Sequence, residues 1–340
     1  MNPIVHIADS VFAHFLDTSC ILNRDNHFDI DSVHTPHLTA EVIQEIRQHP
    51  DVMFNSYLDC LLKYAKVVGE KTFRREGLGQ MYEYIYGCTS AVTPELRRYM
   101  QQLDAEQLPV AEKYDKALRL TQHVADHTFL WHRNYCYLTG QPTGFANRED
   151  IKKVKPHRFA KAIRDQSRWL HDAYYKYHRT RFQGLRDGSY RWTDERLAAA
   201  AVTTAMAGTK LSVIHTEDLD FVIILKQATD NLILESCSRE AATHPVDGRA
   251  DIVSRCYASR GLFVEEWRRT ELRQRRLREQ EVRRLLAEHH PDDARFLVAA
   301  LTCRPGDVLV YHNKLRVGFP YLFPKELAQD VARQTQTICK

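Results

Sequence analysis

The apolar run Val11-Phe12-Ala13-His14-Phe15-Leu16 ends abruptly in an acid and two hydroxyls, Asp17-Thr18-Ser19. A short apolar run of this kind reads as a buried strand. A polar cluster at its C-terminal end lies where open α/β sheets place their ligand crevice. A second run, Leu211-Ser212-Val213-Ile214-His215, ends in the same way, in Thr216-Glu217-Asp218-Leu219-Asp220. Strand-like runs set among helical stretches predict an α/β fold with a parallel sheet.

Composition narrows the class. A chain of 340 residues accommodates one large domain or two ordinary ones, and 44% hydrophobic content supplies a sizeable core. With only 13 Gly and 12 Pro it is not linker-rich or disordered. The net charge of +4 is too small to imply a nucleic-acid partner by itself. Eight cysteines are scattered without a C-x-x-C pair, which excludes a zinc-ribbon spacing and a compact disulfide framework. No basic segment followed by a long apolar run opens the chain, and no uncharged stretch reaches the roughly 18 residues of a membrane span. The expectation is a soluble, cytoplasmic protein with no membrane partner.

Along the chain, residues 11–17 and 32–35 read as strands. Thr39 is the expected N-cap of a helix whose apolar face is Val42, Ile43 and Ile46, and which Pro50 closes. From about 51 to 185 the spacing is almost wholly helical. Ser189–Trp192 reads as a strand, Asp194–Gly208 as an Ala-rich helix capped by Thr193, and 211–215 as a strand. Leu219–Thr229 reads as a helix, with Asn231–Glu235 as the last core strand. Beyond 237 come a loop, a long charged helix over 262–289, a short apolar one over 292–301, a strand-like run at 308–312 and a terminal helix over 322–334. The expected organisation is a core in two parts, 1–50 and 187–236, divided by a helical insertion, 51–186, and followed by a mostly helical extension, 237–340.

The acids carry the functional signal. Asp17 and Asp218 follow strands, Glu45 lies on the helix after the first strand, and Asp194 opens a later helix. In a parallel sheet these positions converge on one edge. Carboxylates gathered there repel one another unless a cation lies between them. Oxygen ligands without Cys or His favour Mg²⁺ or Mn²⁺ over zinc. Such ions support phosphodiester hydrolysis. Each acid also has a bland reading, because carboxylates at helix N-termini stabilise the helix dipole.

This order resembles the PIN-domain nucleases. The matching pieces are Leu16-Asp17-Thr18-Ser19, Thr39-Ala40-Glu41-Val42-Ile43-Gln44-Glu45-Ile46, Thr193-Asp194 before Leu197-Ala198-Ala199-Ala200-Ala201, and Val213-Ile214-His215-Thr216-Glu217-Asp218-Leu219-Asp220-Phe221. They span 10–50 and 187–236, about a quarter of the chain. The resemblance implies an α/β/α sandwich and metal-dependent cleavage of RNA, less often DNA. It assigns Asp17, Glu45, Asp194 and Asp218 as catalytic metal ligands, Asp220 as a further ligand, and Ser19 or Thr216 as groups that orient a ligand or water. Two features depart from the family pattern. The 148 residues between Glu45 and Asp194 far exceed what a compact domain of this kind needs. Glu41 also competes with Glu45, one helical turn away.

The segment 148–182 holds eleven Lys or Arg against four acids, interleaved with Phe159, Trp169, Tyr174, Tyr175, Tyr177 and Phe182. Basic groups neutralise phosphates and aromatic faces stack on bases. Lys152, Lys153, Lys155, Arg158, Lys161, Arg164, Arg168, Arg179 and Arg181 are thus candidate nucleic-acid contacts. The competing reading is a helix with an aromatic core face and a solvated basic face. At the level of function, the sequence points to a Mg²⁺- or Mn²⁺-dependent ribonuclease. The alternatives are a DNA nuclease in defence or repair and a non-catalytic nucleic-acid-binding or scaffold protein. A protein partner or homo-oligomer is expected, if at all, through the insertion or the extension.

Overall fold

The computed structural model describes residues 12–22, 35–105, 156–241 and 303–323 apart from short gaps, with isolated residues elsewhere. Six strands form one sheet in the order β3-β2-β1-β4-β5-β6. They are β1 Phe12–Leu16, β2 His37–Thr39, β3 Lys66–Val68, β4 Leu211–Thr216, β5 Val308–His312 and β6 Val317–Tyr321. All neighbours run parallel except β5 and β6, which are antiparallel. The molecule is therefore α/β with a mixed, mostly parallel sheet.

The first described strand, β1, lies in the middle of that sheet. From β1 the chain builds outward through β2 and β3, then returns to lay β4 and β5 on the other side. The strand order reverses between β1 and β4, and such a switch point opens a crevice at the carboxyl ends of the strands. Leu16 pairs with His215 in register. The residues that follow, Asp17 and Thr216, are thus set side by side.

Nine helices are described, numbered α1 to α9 in chain order: Thr18–Leu22, Ala40–Arg47, Val52–Leu62, Glu70–Arg75, Gly79–Ser90, Pro94–Asp104, Pro156–Asp187, Thr193–Ala207 and Asp220–Ala241. The central one is α8. Leu197, the four alanines 198–201, Val202 and Ala205 are all fully buried, so the helix is apolar on every side. A helix of that kind must be enclosed. It packs on β1, β2, β4 and β5 and on α5 and α9. Small side chains let it approach both layers closely.

The two sheet faces differ. Ala13, Phe15, Ile214, Val308 and Val310 join the main apolar core with α8. Alternation along the strands puts Phe12, His14, His215 and Tyr311 on the other face. There Phe296 packs its ring against Phe12, His14, His215 and Tyr311.

Several local expectations are corrected. Ser189–Trp192 is not a strand: α7 ends at Asp187, Gly188 has φ 74° and Trp192 has φ 59°, so the chain turns straight into α8. Thr193 is the first residue of α8 rather than its cap, which is Trp192. Asn231–Glu235 continues α9, because a short apolar run reads alike in a strand and a buried helix. Thr39 does cap α2, accepting from the Val42 amide at 3.4 Å. The second strand is at 37–39, two residues beyond the expected run. The segment expected as an insertion supplies β3, and the expected extension supplies β5 and β6. All three belong to the same sheet as β1 and β4. Most of 108–138 and of the helix expected at 262–289 lies outside the described residues. Among the described residues, no helix is long and apolar enough to cross a membrane.

Candidate functional site

Asp17 leaves the end of β1 and is buried. Its Oδ1 accepts from the Thr18 amide at 2.7 Å. Its Oδ2 accepts from the Ser19 hydroxyl at 2.5 Å and from the Thr216 hydroxyl at 2.9 Å. Thr216 Oγ1 in turn accepts from the Asp218 amide at 2.9 Å, and Ser19 Oγ from the Glu217 amide at 3.0 Å. The two strand ends are thus tied together through one carboxylate. Ser19 and Thr216 both orient Asp17, where the sequence had offered one or the other.

Glu45 reaches the same place from α2. Its Oε2 accepts from the Thr18 hydroxyl at 3.1 Å. Glu41 points elsewhere, forming an ion pair with Arg196 at 3.2 Å. Glu41 thus has a cation partner, while Glu45 faces the strand end. Asp194 arrives half-buried on the first turn of α8, and Asp220 half-buried at the start of α9. Asp218 is exposed at the rim.

The acids share one electrostatic field. Burial raises Asp17 to about 6, with the charge of Asp218 adding to the effect and the Ser19, Thr216 and Thr18 bonds opposing it. Burial also raises Asp194 well above the carboxylate range. The charges of Asp17, Asp220, Glu195 and Glu45 push it the same way. Asp220 rises to about 7 through burial and the charges of Asp218, Asp17 and Glu195, against the opposing pull of Lys176. Each of these three acids is therefore raised in part by the charges of its acidic neighbours. Among the described residues none of Asp17, Asp194, Asp218 and Asp220 forms an ion pair with Lys or Arg.

Among the described residues no group of three or more His, Cys, Asp or Glu side chains stands ready to hold a metal ion. The chemistry of the donors nevertheless suits a hard divalent cation. Mg²⁺ keeps several waters and takes only one or two carboxylates directly, so it does not require a closed cage of three. No protein-family model, curated protein or solved structure matches the chain.

The basic segment divides. Lys152, Lys153 and Lys155 lie outside the described residues, as do the side chains of Arg158, Lys161, Arg164 and Arg168 on α7. Arg179 is exposed and available to a charged partner. Arg181 is not: it is 0% exposed and sits 3.7 Å from the equally buried Glu195. Its Nη2 donates to the Ser90 carbonyl at 2.7 Å. That expected contact is corrected, because a guanidinium enclosed by protein cannot meet a phosphate. The side chains of Phe159 and Trp169 lie outside the described residues, and the other aromatics of α7 are turned inward. Tyr177 is buried in the main core, and Tyr174, Tyr175 and Phe182 pack against a second core formed with α6.

A polar chain runs behind Asp17 that the sequence reading passed over. His14 Nδ1 and His215 Nε2 share a hydrogen bond at 2.9 Å, both rings being buried. His215 Nδ1 lies 3.4 Å from Asn313 Oδ1, and Asn313 Nδ2 donates to Cys20 Sγ at 2.9 Å. Burial holds His14 well below the usual histidine range and His215 at about 3, so both rings are neutral at pH 7. The available signal was a histidine inside each of two apolar strand runs.

Proposed function

We propose that this chain is a Mg²⁺- or Mn²⁺-dependent nuclease that hydrolyses phosphodiester bonds, with RNA as its substrate. One observation carries the reading. Burial and the charges of neighbouring carboxylates raise Asp17 at the end of β1, Asp194 on α8 and Asp220 on α9, and Glu45 and Asp218 are among the acids acting on them. A protein gains nothing in stability by gathering unpaired acids, and a divalent cation would relieve the repulsion.

In this reading Asp17 is the central ligand, with Glu45, Asp194, Asp218 and Asp220 around it. Ser19 and Thr216 hold Asp17 in one orientation through their hydroxyls. The bound ion supplies charge stabilisation and water activation at a phosphodiester. Lys176 and Arg179, exposed on α7, provide positive charge toward the substrate backbone.

The test is cleavage of labelled single-stranded RNA and DNA with Mn²⁺, with and without EDTA. Wild type is run beside Asp17→Asn and Asp218→Asn. The expected outcome is metal-dependent cutting of RNA that both substitutions reduce at least about 100-fold, as loss of a transition-state charge contact would. Preferential cutting of DNA would move the protein to the DNA-nuclease reading. Binding without any cutting would make it a non-catalytic nucleic-acid-binding protein. Cutting that survives both substitutions would mean that the site lies elsewhere.

A further inference from the structure

Next to Asp194 on α8 lies Glu195, whose side chain turns away from the crevice into the core. Its Oε1 accepts from the Tyr177 hydroxyl at 2.8 Å and the Tyr190 hydroxyl at 2.7 Å. Arg181 stands beside it at 3.7 Å and also donates to the Tyr177 hydroxyl at 3.3 Å. The Arg181 guanidinium lies 4.9 Å above the Trp192 ring. Trp192 is the one non-glycine residue with positive φ among the described residues, and it immediately precedes α8. Such a backbone persists only where its surroundings fix it. Gly184 contributes by letting Tyr190 lie on α7, since a Cβ there would stand 2.9 Å from the Tyr190 Cβ.

Arg181 therefore ties together three pieces of chain: the last residue of α5 through Ser90, the turn into α8 through Trp192, and α8 itself through Glu195. Consecutive helical side chains are set about 100° apart on a rigid turn. Whatever fixes Glu195 also fixes the direction of Asp194. There is a second, electrostatic effect. The Glu195 charge is among those acting on Asp194, and the Arg181 guanidinium is the cation placed to offset it.

We propose that Arg181 is a positioning residue: its buried pair with Glu195 locks the first turn of α8, so that α7 holds Asp194 in the acidic site. The inference rests on the metal-site reading above and extends it to a residue that touches neither metal nor substrate. It also gives the helical block between Glu45 and Asp194 a task at the site besides any contact with nucleic acid. Movement of α7 would loosen one ligand.

The experiment measures Mn²⁺ binding to the full chain by titration calorimetry, beside the melting temperature and the kcat and KM of cleavage. The main variant is Arg181→Met with Glu195→Gln. It removes both buried charges, which costs little when done as a pair, and it leaves an oxygen for the two tyrosines. The expected result is a protein that melts close to wild type but binds Mn²⁺ about 10- to 100-fold more weakly, the usual effect of losing a partner behind a ligand. kcat falls while KM for the nucleic acid holds. Arg181→Lys, which restores a charge beside Glu195, recovers part of the affinity. A folded double variant with wild-type Mn²⁺ affinity overturns the proposal. If the double variant does not fold, Tyr190→Phe removes a single hydroxyl from Glu195. A smaller loss of Mn²⁺ affinity is then expected, and no loss overturns the idea. Should wild type bind no Mn²⁺, or Asp17→Asn bind it as well as wild type, the metal-site reading itself fails and the positioning role falls with it.

Discussion

At the residue scale the site is defined by what surrounds each acid. Asp17 is buried yet accepts three hydrogen bonds, so its ionised form is opposed by burial and supported by donors. Ser19→Ala removes the 2.5 Å donor. The Asp17 pKa then moves higher, and the pH midpoint of Mn²⁺ binding is expected to rise by about one unit, the effect of one charge-assisted hydrogen bond. An unchanged midpoint would show that this hydroxyl does not set the acidity of Asp17. Asp17 and Asp220 also make a signed prediction for stability. Their folded values, about 6 and about 7, lie above the ordinary 3.8. Between those limits the folded state binds more protons than the unfolded one. The stability they contribute is fully present below about pH 4 and is lost as the pH rises through 6 to 7. In EDTA, Asp220→Asn should therefore melt above wild type at pH 8 and close to it near pH 4.5. A pH-independent difference would disprove the coupling.

At the scale of elements, α8 does most to place the site. Its alanines allow it to lie between the sheet and α5 while its first turn offers Asp194 to one side and Glu195 to the other. Ala200 is fully buried, so Ala200→Leu forces extra volume into a closed layer. The expected loss is about 1–3 kcal/mol in denaturant unfolding. A loss below about 0.5 kcal/mol would mean that the layer has slack. The segments beside it show why a strand and a helix read alike in a short apolar or aromatic run. Ser189–Trp192 has strand-like aromatics, but Gly188 and Trp192 take left-handed backbone and bend the chain. Asn231–Glu235 has a strand's composition, but it continues a helix already running from Asp220.

At the scale of the whole molecule, the sheet is assembled from distant segments. β4 pairs with β1 across about two hundred residues and with β5 across a further hundred. β5 is buried along its whole length. A chain ending at residue 306 loses β5 and β6 and exposes the edge of β4. Unpaired strand edges template aggregation, so the truncated protein is expected to be recovered insoluble. A soluble product with the wild-type circular dichroism spectrum and melting temperature would show that the final strands are dispensable.

The sequence alone determined the local grammar: β1 and β4 as apolar runs, their acidic ends, the Thr39 cap and the alanine-rich α8. These are legible because burial and capping leave their mark within a few residues. It also singled out Asp17, Glu45, Asp194, Asp218 and Asp220, which the fold brings into one field. Only the tertiary structure gave Glu41 and Glu45 different surroundings, because the Arg196 that pairs with Glu41 lies far along the chain. The same holds for Arg181, a basic residue in a basic segment until Glu195 meets it in the core. The strands β3 and β6 and the His14–His215 pair were equally hidden. The partners of β3 and of the two histidines lie tens to hundreds of residues away, and no pattern along one strand records which segment will lie beside it, while β6 folds straight back on β5.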